Sequence, residues 1–509
     1  MKPTIQKTLE KIEDLISHGS VSSAREPIIE LCRRKIPRLH LARLAGLARR
    51  AYLPEKSVRL LHPIVRPAGT RKHDVPASDL EKAEYAAALT AVGASRESLA
   101  ILASLDSKKL DLVPLFQGFS YVREWDLEKA IVSFEQVIAL PGSRKLLRLR
   151  ARVELAGLLI ECEQYDRAYG LCEELLSLSS PDQFRTIHKE TFWNLTHLFA
   201  RKKEWGKANG YLLKLEELDR DEKDPLLQLI IRKWRALIQL AANNKDTRAL
   251  EELRTVRELL RQERRWEDVR SCHFYDAVFR RRDDLLVHLY VGTPYPLFRE
   301  RVLRELNGRM KIPEDYLWQV TSPGGAGKGE RVLFDVATGS NSQTGATFKD
   351  GEAIQRLLQI LCFDFYKPLQ LSALHERLYP GQYFNPASSP DRVHQCVKRL
   401  RTWLQKNRIP LLIHEDMSFY RLGALRSCML RVGKRVESEW IGVSPAELKL
   451  RGALAQVAKC HGQREFSAVE AAEILKVNAR SSLRYLVEAI KLGIVERIVC
   501  GSTHRYRIR

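Results

Sequence analysis

Apolar side chains recur at helical spacing along the first part of the chain, from Lys2 to about Arg309. Apolar positions three and four residues apart place one stripe on one face of a helix, which can then pack against its neighbours. Short polar breaks separate one stripe from the next. The pattern therefore predicts a mainly α region over residues 1–315, with roughly six to eight helical hairpins stacked in series.

The clearest hairpin begins at Gly118 and ends at Pro141. Gly118 and Tyr121 stand where the first helix needs a small and then a large residue, and Ala130 and Phe134 stand where the second helix packs back. Small residues are required where two helices cross closely, and proline ends a helix. This stretch resembles a tetratricopeptide repeat, and the resemblance implies an α-solenoid.

Alanine recurs at the position of Ala130 in later hairpins, at Ala168, Ala208 and Ala249. The spacings of 38, 40 and 41 residues exceed the family's 34, so we predict irregular repeats. Solenoids of this kind present a concave groove that takes a peptide, a partner helix or another subunit. The alternative is a set of packed helices without a ligand, and the sequence alone leaves both open.

A glycine-rich stretch, Ser322–Glu330, follows the helical region. Around Lys328 it looks like a phosphate-binding loop, but Ser322 replaces the first glycine and Gly329 stands where serine or threonine would hold magnesium. We therefore predict a flexible linker over residues 316–330 and no nucleotide site. This linker would separate the solenoid from the domains that follow.

Beyond the linker, residues 331–424 alternate between short strand-like and helix-like stretches. Runs of β-branched and aromatic residues favour strands, and amphipathic stretches favour helices. The order helix, helix, basic helix and hairpin is typical of a winged helix-turn-helix domain. In chain order we predict a strand at Val332–Val336, helices at Glu352–Phe363, Leu369–Leu378 and about Ser389–Gln405, and strands at Pro410–His414 and Phe419–Leu422.

The basic helix divides into an apolar face and a face rich in hydrogen-bond donors. Residues 391–410 include six basic residues and one acidic residue. A helix with that division can lie in the DNA major groove while its back packs on a small domain. The apolar stripe is Val393, Val397, Leu400 and Leu404, and the polar face holds Arg392, His394, Gln395, Lys398, Arg399 and Arg401.

Residues 332–423 resemble the effector domain of two-component response regulators, mainly in the basic helix and in the closing residues of the wing, Phe419 to Leu422. The loop before the basic helix is longer than in the family, and the wing lacks the usual glycines. No receiver domain precedes, so the solenoid would supply the input. The resemblance implies phosphate or guanine contacts for Lys398, Arg399 and Arg401, a place near bases for His394 and Gln395, and a place beside the wing for Arg421. The alternative is a winged helix that makes only protein contacts.

A second unit of the same kind is predicted over residues 441–509, after a basic joint at 425–440. Its helices would cover about 444–461, Ser467–Lys476 and Ala479–Leu492, and its hairpin would pair Ile494–Val499 with His504–Ile508. The pattern resembles the winged helices of many bacterial repressors. Dimerisation or docking is the alternative role. The exposed positions that could meet DNA are Asn478, Arg480, Ser481, Arg484, Tyr485, Arg497 and Arg505.

Charge supports a nucleic-acid partner. The chain has a net charge of +22, and from residue 351 onward 26 Lys and Arg stand against 14 Asp and Glu, a net of +12. A basic segment of this kind is the electrostatic footprint of a nucleic-acid binder. A solvated basic surface is the simpler alternative.

Other chemistry is weakly represented. The nine cysteines include no CxxC pair and the histidines no HExxH spacing, so we expect no metal and no other cofactor. No paired-carboxylate or nucleophile motif indicates an enzyme. The N-terminus has no apolar signal core, and no apolar run reaches the roughly 18 residues that span a bilayer, so we expect a cytoplasmic protein.

These patterns together predict a mainly α protein, in which a solenoid of tetratricopeptide-like hairpins precedes two winged helix-turn-helix (α+β) domains. The preferred hypothesis is a bacterial-type transcriptional regulator with double-stranded DNA as partner, a peptide or protein in the helical-repeat groove, and a homodimer left open. The alternative is a scaffold subunit, in which repeats and winged helices make protein contacts. A scaffold would run from solenoid into winged helix without a flexible linker.

Overall fold

The computed structural model describes residues 5–17, 21–67, 75–320, 332–336, 338–341, 343–348, 353–425, 428–433, 454, 457, 464–475, 477–491, 494–500 and 503–508. The stretch predicted as a flexible linker lies outside these residues from 321 to 330, and so does most of the helix predicted at 444–461.

The first three hundred residues form a series of helices in which each packs on the next. Several also pack on the helix two places further along, such as the ninth on the eleventh, as expected when hairpins stack in a solenoid. In chain order these helices, α1 to α17, are Ile5–Ser17, Val21–Cys32, Leu41–Arg50, Pro54–Val65, Asp79–Val92, Ser95–Leu102, Leu112–Glu124, Leu127–Ala139, Lys145–Glu161, Tyr165–Leu178, Arg185–Arg201, Trp205–Asp219, Pro225–Ala242, Thr247–Gln262, Trp266–Phe279, Asp283–Val291 and Pro296–Leu306.

The same tight turn recurs between successive helices. Trp125, Glu163, Lys203 and Arg264 each adopt a left-handed backbone, with φ between 57° and 61°. The residue that follows each of them donates its N–H to a carbonyl five residues back, at 2.8 to 3.0 Å, which reverses the chain within a few residues. The repeated turn brings successive helices side by side.

Close helix packing depends on the small residues that the sequence analysis identified. Gly118 faces the ring of Phe134, and a Cβ at that position would lie 2.6 Å from Cε1 of the ring. Helix α8 ends at Ala139, two residues before Pro141. The predicted helical repeat is therefore confirmed at its clearest unit. The recurring alanines Ala130, Ala168, Ala208 and Ala249 are all buried.

Two small sheets follow the solenoid. In chain order their strands, β1 to β7, are Asp315–Val320, Val332–Asp335, Ser340–Asn341, Leu369–Gln370, Leu411–Asp416, Phe419–Ala424 and Cys428–Gly433. The first sheet has strand order β1-β7-β2-β3, with β7 antiparallel to β1 and parallel to β2. The second sheet has strand order β4-β6-β5.

Two predicted boundaries are wrong. The linker was expected from residue 316, but 316–320 belong to β1, and Cys428–Gly433 of the expected basic joint form β7. Strands β1 and β7 pair with each other although they lie more than a hundred residues apart along the chain, as in the pairing of Asp315 with Gly433. Pairing between segments so far apart cannot be predicted from the residues of either segment alone.

Three helices pack with the second sheet: α18 at Ala353–Leu361, α19 at Leu371–Leu378 and α20 at Ser389–Lys406. Their order along the chain follows the prediction, with one correction. Leu369–Gln370 were expected to begin a helix but form β4, which pairs with β6. Helix α20 also packs on the first sheet, where Trp403 lies edge-on to Phe334 of β2 with ring centroids 6.0 Å apart. The same Trp403 ring stacks on Phe348, which follows β3, at 4.0 Å. We refer to the sheets and helices of residues 315–433 as the basic domain.

The basic domain is packed against the solenoid, and both belong to one continuous apolar core. The ring of Phe365 stacks on Trp318 at 3.8 Å, and its N–H donates to the carbonyl of Gly292 at 3.0 Å. The glycine-rich stretch before this domain predicts a linker that frees it from the solenoid. That expectation is wrong for the described residues, because apolar and polar contacts hold the two together.

A buried ion pair joins the two parts. Nη2 of Arg270, on α15, donates to both carboxylate oxygens of Asp364 at 2.7 and 2.8 Å. Both side chains are buried, and Asp364 also accepts the N–H groups of Tyr366 and Lys367. The Arg270 guanidinium accordingly holds the pKa of Asp364 below its usual range, although burial opposes this effect. Removing one partner would leave a buried charge without compensation.

The last described unit contains helices α21 at Ala468–Leu475 and α22 at Ala479–Lys491 and a hairpin of β8 at Val495–Cys500 and β9 at Thr503–Ile508. These helices and strands enclose a small core of their own. A reciprocal cap begins α21, since Ser467 N–H donates to Glu470 and Glu470 N–H donates to Ser467 Oγ. Among the described residues, no helix is both long and apolar enough to cross a membrane.

Candidate nucleic-acid interface

The apolar face of α20 fastens the helix to the basic domain. Val393, Val397, Leu400 and Leu404 are all nearly inaccessible to solvent, as the stripe predicted. Cys396 joins them, and its thiol lies 3.6 Å from the carbonyl oxygen of Ala353. Five buried side chains therefore fix the rotation of the helix, and with it the direction of the opposite face.

The opposite face is exposed, and part of its positive charge is not paired with an acidic residue among those that the structure describes. Gln395, Lys398 and Arg399 are exposed, and neither cation forms an ion pair with another described residue. Lys398 and Arg399 line a shallow cleft of about 450 Å³ with Thr402 and Lys406. Those last two residues were missed by the sequence analysis, although their positions four and eight residues after Lys398 placed them on the same face.

Three predicted contact residues are exposed and also contact neighbouring residues. The guanidinium of Arg392 lies 4.0 Å from the ring centroid of Tyr379. His394 lies 3.9 Å from the carboxylate of Glu415. Nη2 of Arg401 donates to the carbonyl of Ile413 at 2.8 Å. These contacts tie α20 to the loop before it and to strand β5, so the three side chains serve the structure of the domain as well as its surface.

The hairpin of β5 and β6 turns at Met417 and Ser418, both in the left-handed region. Arg421 is exposed and lies opposite His414 in the register of the two strands. Burial lowers the pKa of His414, and the nearby charges of Arg421 and Arg401 lower it further. Both effects favour the neutral form of His414, and Arg421 is the cation that lies opposite it.

The tip of this hairpin rests on the solenoid. Arg264 donates to Asp416 at 2.9 Å, and its guanidinium lies 4.8 Å from the ring centroid of Phe419. Asp416 is largely exposed, so the ion pair itself adds little stability. The contact nevertheless places a solenoid turn beside the hairpin tip.

In the last unit most predicted contact residues are exposed, but not all. Tyr485 is partly buried against the small core, which corrects its assignment as a surface residue. Asn478 and Ser481 are engaged with each other, because the side-chain oxygen Oδ1 of Asn478 accepts the Ser481 N–H at 2.8 Å. Arg497 bonds to His504 across the hairpin. The remaining exposed cations are Arg480, Arg484 and Arg505.

The solenoid has a concave cavity of about 550 Å³. Most of its lining comes from every second helix, α9, α11, α13, α15 and α17, so these helices form the inner wall. The wall combines aromatic and charged side chains, including Trp193, Trp234 and Arg270. The cavity lies where the sequence analysis expected a groove.

No family model and no curated protein sequence matches the chain. Solved structures similar to it include the apo form of RapI, with a TM-score of 0.36 and 14% identity over 56% of this chain and 85% of that one. Aspartyl phosphate phosphatase F from Bacillus subtilis is similar with a TM-score of 0.39 and 13% identity, over 62% of this chain and 99% of that one. A third similar structure is the Rap conjugation gene regulator of the plasmid pLS20 in complex with the Phr* peptide. Its TM-score is 0.32 and its identity 13%, over 60% of this chain and 84% of that one. Similarity at this level carries no inference about function.

Proposed function

We propose that the chain is a DNA-binding transcriptional regulator, in which the basic domain is a winged helix-turn-helix and α20 is its recognition helix. The observation that carries the proposal is the exposed face of α20, with Gln395, Lys398 and Arg399 directed away from five buried apolar side chains. A helix in the major groove needs such donors, because arginine and lysine contact phosphates and guanine edges. Thr402 and Lys406 would extend the contact along the same strand of DNA.

The order of elements supports the winged-helix assignment. Helices α18, α19 and α20 precede the β5–β6 hairpin, and β4 completes a three-stranded sheet. This is the arrangement in which the third helix enters the groove and the hairpin flanks it. Arg421 would then face the DNA backbone from the hairpin, and the last unit would add Arg480 and Arg484 as a second contact.

The proposal is tested by binding of fragments of the source genome in a salt series from 50 to 200 mM. Replacing both Lys398 and Arg399 by alanine removes two cations, so the slope of log K against log salt should fall by about 2. Loss of a base contact would cost about 1–3 kcal/mol more. The matched control is Lys108→Ala/Lys109→Ala, which removes the same charge from an exposed solenoid loop.

Two results would contradict the assignment of α20. If the α20 double variant binds with the affinity and salt slope of wild type, α20 is not the reader. If affinity then depends on Arg480 and Arg484 instead, the last unit reads DNA and the basic domain has another role.

A scaffold function is the second candidate, and the docking of the basic domain on the solenoid favours it. Helical repeats that continue into a winged helix through one core are expected of an assembly subunit rather than of a domain released by a linker. In that case purified protein should show no salt-dependent affinity for genomic fragments, and α20 variants should instead lose a protein partner. The DNA-binding measurement above separates the two functions.

A further inference from the structure

Helix α19 is enclosed on two sides. One side packs on α18 and α20 of the basic domain, and the other packs on α5 and α6 of the solenoid. As a result, no residue of Leu371–Leu378 is exposed. The first helix of a helix-turn-helix crosses the DNA backbone while the second lies in the groove. Because its inner side is in the core of the domain, α19 could meet a DNA backbone only with the side that the solenoid covers.

The solenoid and α19 approach closely at the end of α5. The hydroxyl of Ser372 donates to the carbonyl of Val92. A Cβ at Gly93, the next residue, would lie 3.1 Å from Cβ of Ala373. This spacing leaves no room for another chain between the two parts. A DNA backbone could therefore reach this side of α19 only after the solenoid had moved away.

The loop between α19 and α20 is held by the solenoid as well. An oxygen of Glu97, on α6, accepts the N–H of Phe384 at 2.6 Å, and Glu97 donates its own N–H to Glu376 at 3.0 Å. Serine hydroxyls and backbone N–H groups are donors that proteins use to hold DNA phosphates. The Val92 carbonyl and the Glu97 side chain thus occupy two donors, the Ser372 hydroxyl and the Phe384 N–H, of the kind that phosphates need.

The basic domain can separate from the solenoid without breaking the chain. Residues 307–314 join α17 to β1, and residues 307–311 are exposed. Asn307 and Gly308 have left-handed backbones, so the chain changes direction there. Strand β1 belongs to the basic domain through its pairing with β7. The domain can therefore turn about residues 307–314 as one body, as in other hinged proteins.

We propose that the docked arrangement is an autoinhibited state, in which the solenoid covers the side of the helix-turn-helix that meets the DNA backbone. The inference rests on the proposed function, and it makes docking and DNA binding mutually exclusive. The observed affinity is then the intrinsic affinity multiplied by the undocked fraction. While most molecules are docked, weakening the docking by a given factor strengthens DNA binding by the same factor. By linkage, bound DNA holds the domain away from the solenoid.

Hydrogen–deuterium exchange of the full-length wild-type protein tests this exclusion. The probe is a genomic fragment retained in the binding assay above, at saturating concentration in 50 mM salt. The Glu97 N–H lies in the first turn of α6, so its protection depends on Glu376, and the Phe365 N–H depends on the Gly292 carbonyl. Both should exchange at least about tenfold faster when the fragment is bound. Unchanged exchange at both amides would overturn the proposal.

A substitution on the solenoid side gives a second test, because it leaves the helix-turn-helix unchanged. Alanine at Gly292 places a Cβ 2.8 Å from Cγ of Phe365, which weakens docking. We expect Gly292→Ala to bind the fragment at least about fivefold more tightly than wild type. The control Gly210→Ala, whose added Cβ meets nothing within 4 Å, should bind like wild type. Affinity at or below that of wild type, with faster exchange at Phe365, would refute autoinhibition.

Failure of this inference differs from failure of the proposed function. If neither wild type nor Gly292→Ala binds any fragment, the chain is not a DNA-binding regulator, and the autoinhibition falls with that function. If wild type binds fragments while the Glu97 and Phe365 amides stay protected, the DNA-binding function stands and only the autoinhibition is wrong. Binding by Gly292→Ala alone supports both.

Discussion

One methyl group at Gly292 should disrupt the contact between the solenoid and the basic domain. The backbone of Gly292 has φ of −79° and ψ of 2°, which alanine adopts without strain. A Cβ there would lie 2.8 Å from Cγ of Phe365, closer than real Cβ contacts. The ring cannot retreat freely, because Trp318 stacks on its other side at 3.8 Å. The perturbation is therefore steric and confined to the interface.

The expected cost follows from packing. Overfilling a packed contact costs about 1–3 kcal/mol. This cost acts on the docked state, so Gly292→Ala should shift the docking equilibrium by about 5- to 150-fold. In global unfolding, the reduced backbone freedom of the unfolded chain offsets about 0.4–1 kcal/mol of the same cost.

Hydrogen exchange and thermal melting measure this effect. Amide protection at Phe365 and along β1 should fall in Gly292→Ala, while the helices at the start of the solenoid keep theirs. The matched control is Gly210→Ala in α12, where nothing lies within 4 Å of the added Cβ. Alanine should stabilise that helix by up to about 1 kcal/mol. If Gly292→Ala melts at or above the wild-type temperature with protection unchanged, the described interface is wrong.

Three further predictions concern buried positions. Gly118→Ala should destabilise the solenoid by about 1–3 kcal/mol in urea unfolding, because the added methyl meets the Phe134 ring; an unchanged midpoint would contradict that packing. Arg270→Ala should cost about 3–5 kcal/mol by leaving Asp364 buried without its partner, and restoration of stability by adding Asp364→Asn would identify the charge as the cause. Burial raises the pKa of Glu376 from 4.5 to about 7, so the folded state holds its proton longer than the unfolded state and stability falls as pH rises between these values. Glu376→Gln should match wild type near pH 4 and exceed it at pH 8, by at most about 3 kcal/mol; a difference independent of pH would refute this cause.

Local sequence patterns were sufficient for much of the fold. The 3.6-residue spacing of apolar side chains predicted the helical repeats, and the stripe from Val393 to Leu404 predicted both the burial and the exposure of α20. Gly118 and the recurring alanines were identified because a close helix crossing needs a small residue at a definite place in each hairpin. All of these signals lie within a few turns of one helix or one helical hairpin, where spacing along the chain determines spacing in the structure.

Contacts between distant segments were not predictable in this way. In strand β1, half-buried Tyr316 and Trp318 alternate with exposed neighbours, but this pattern does not predict that β1 pairs with β7. Arg392 and Arg401 are predicted DNA contacts, and only the structure shows that they also contact the Tyr379 ring and the Ile413 carbonyl.

The sequence by itself determined a helical repeat followed by a basic amphipathic helix, because periodicity and charge are properties of neighbouring residues. Only the tertiary structure decided that the basic domain is docked on the solenoid and that Arg270 of α15 pairs with Asp364 of that domain. The pair is 94 residues apart along the chain, and its stability depends on burial by both parts at once.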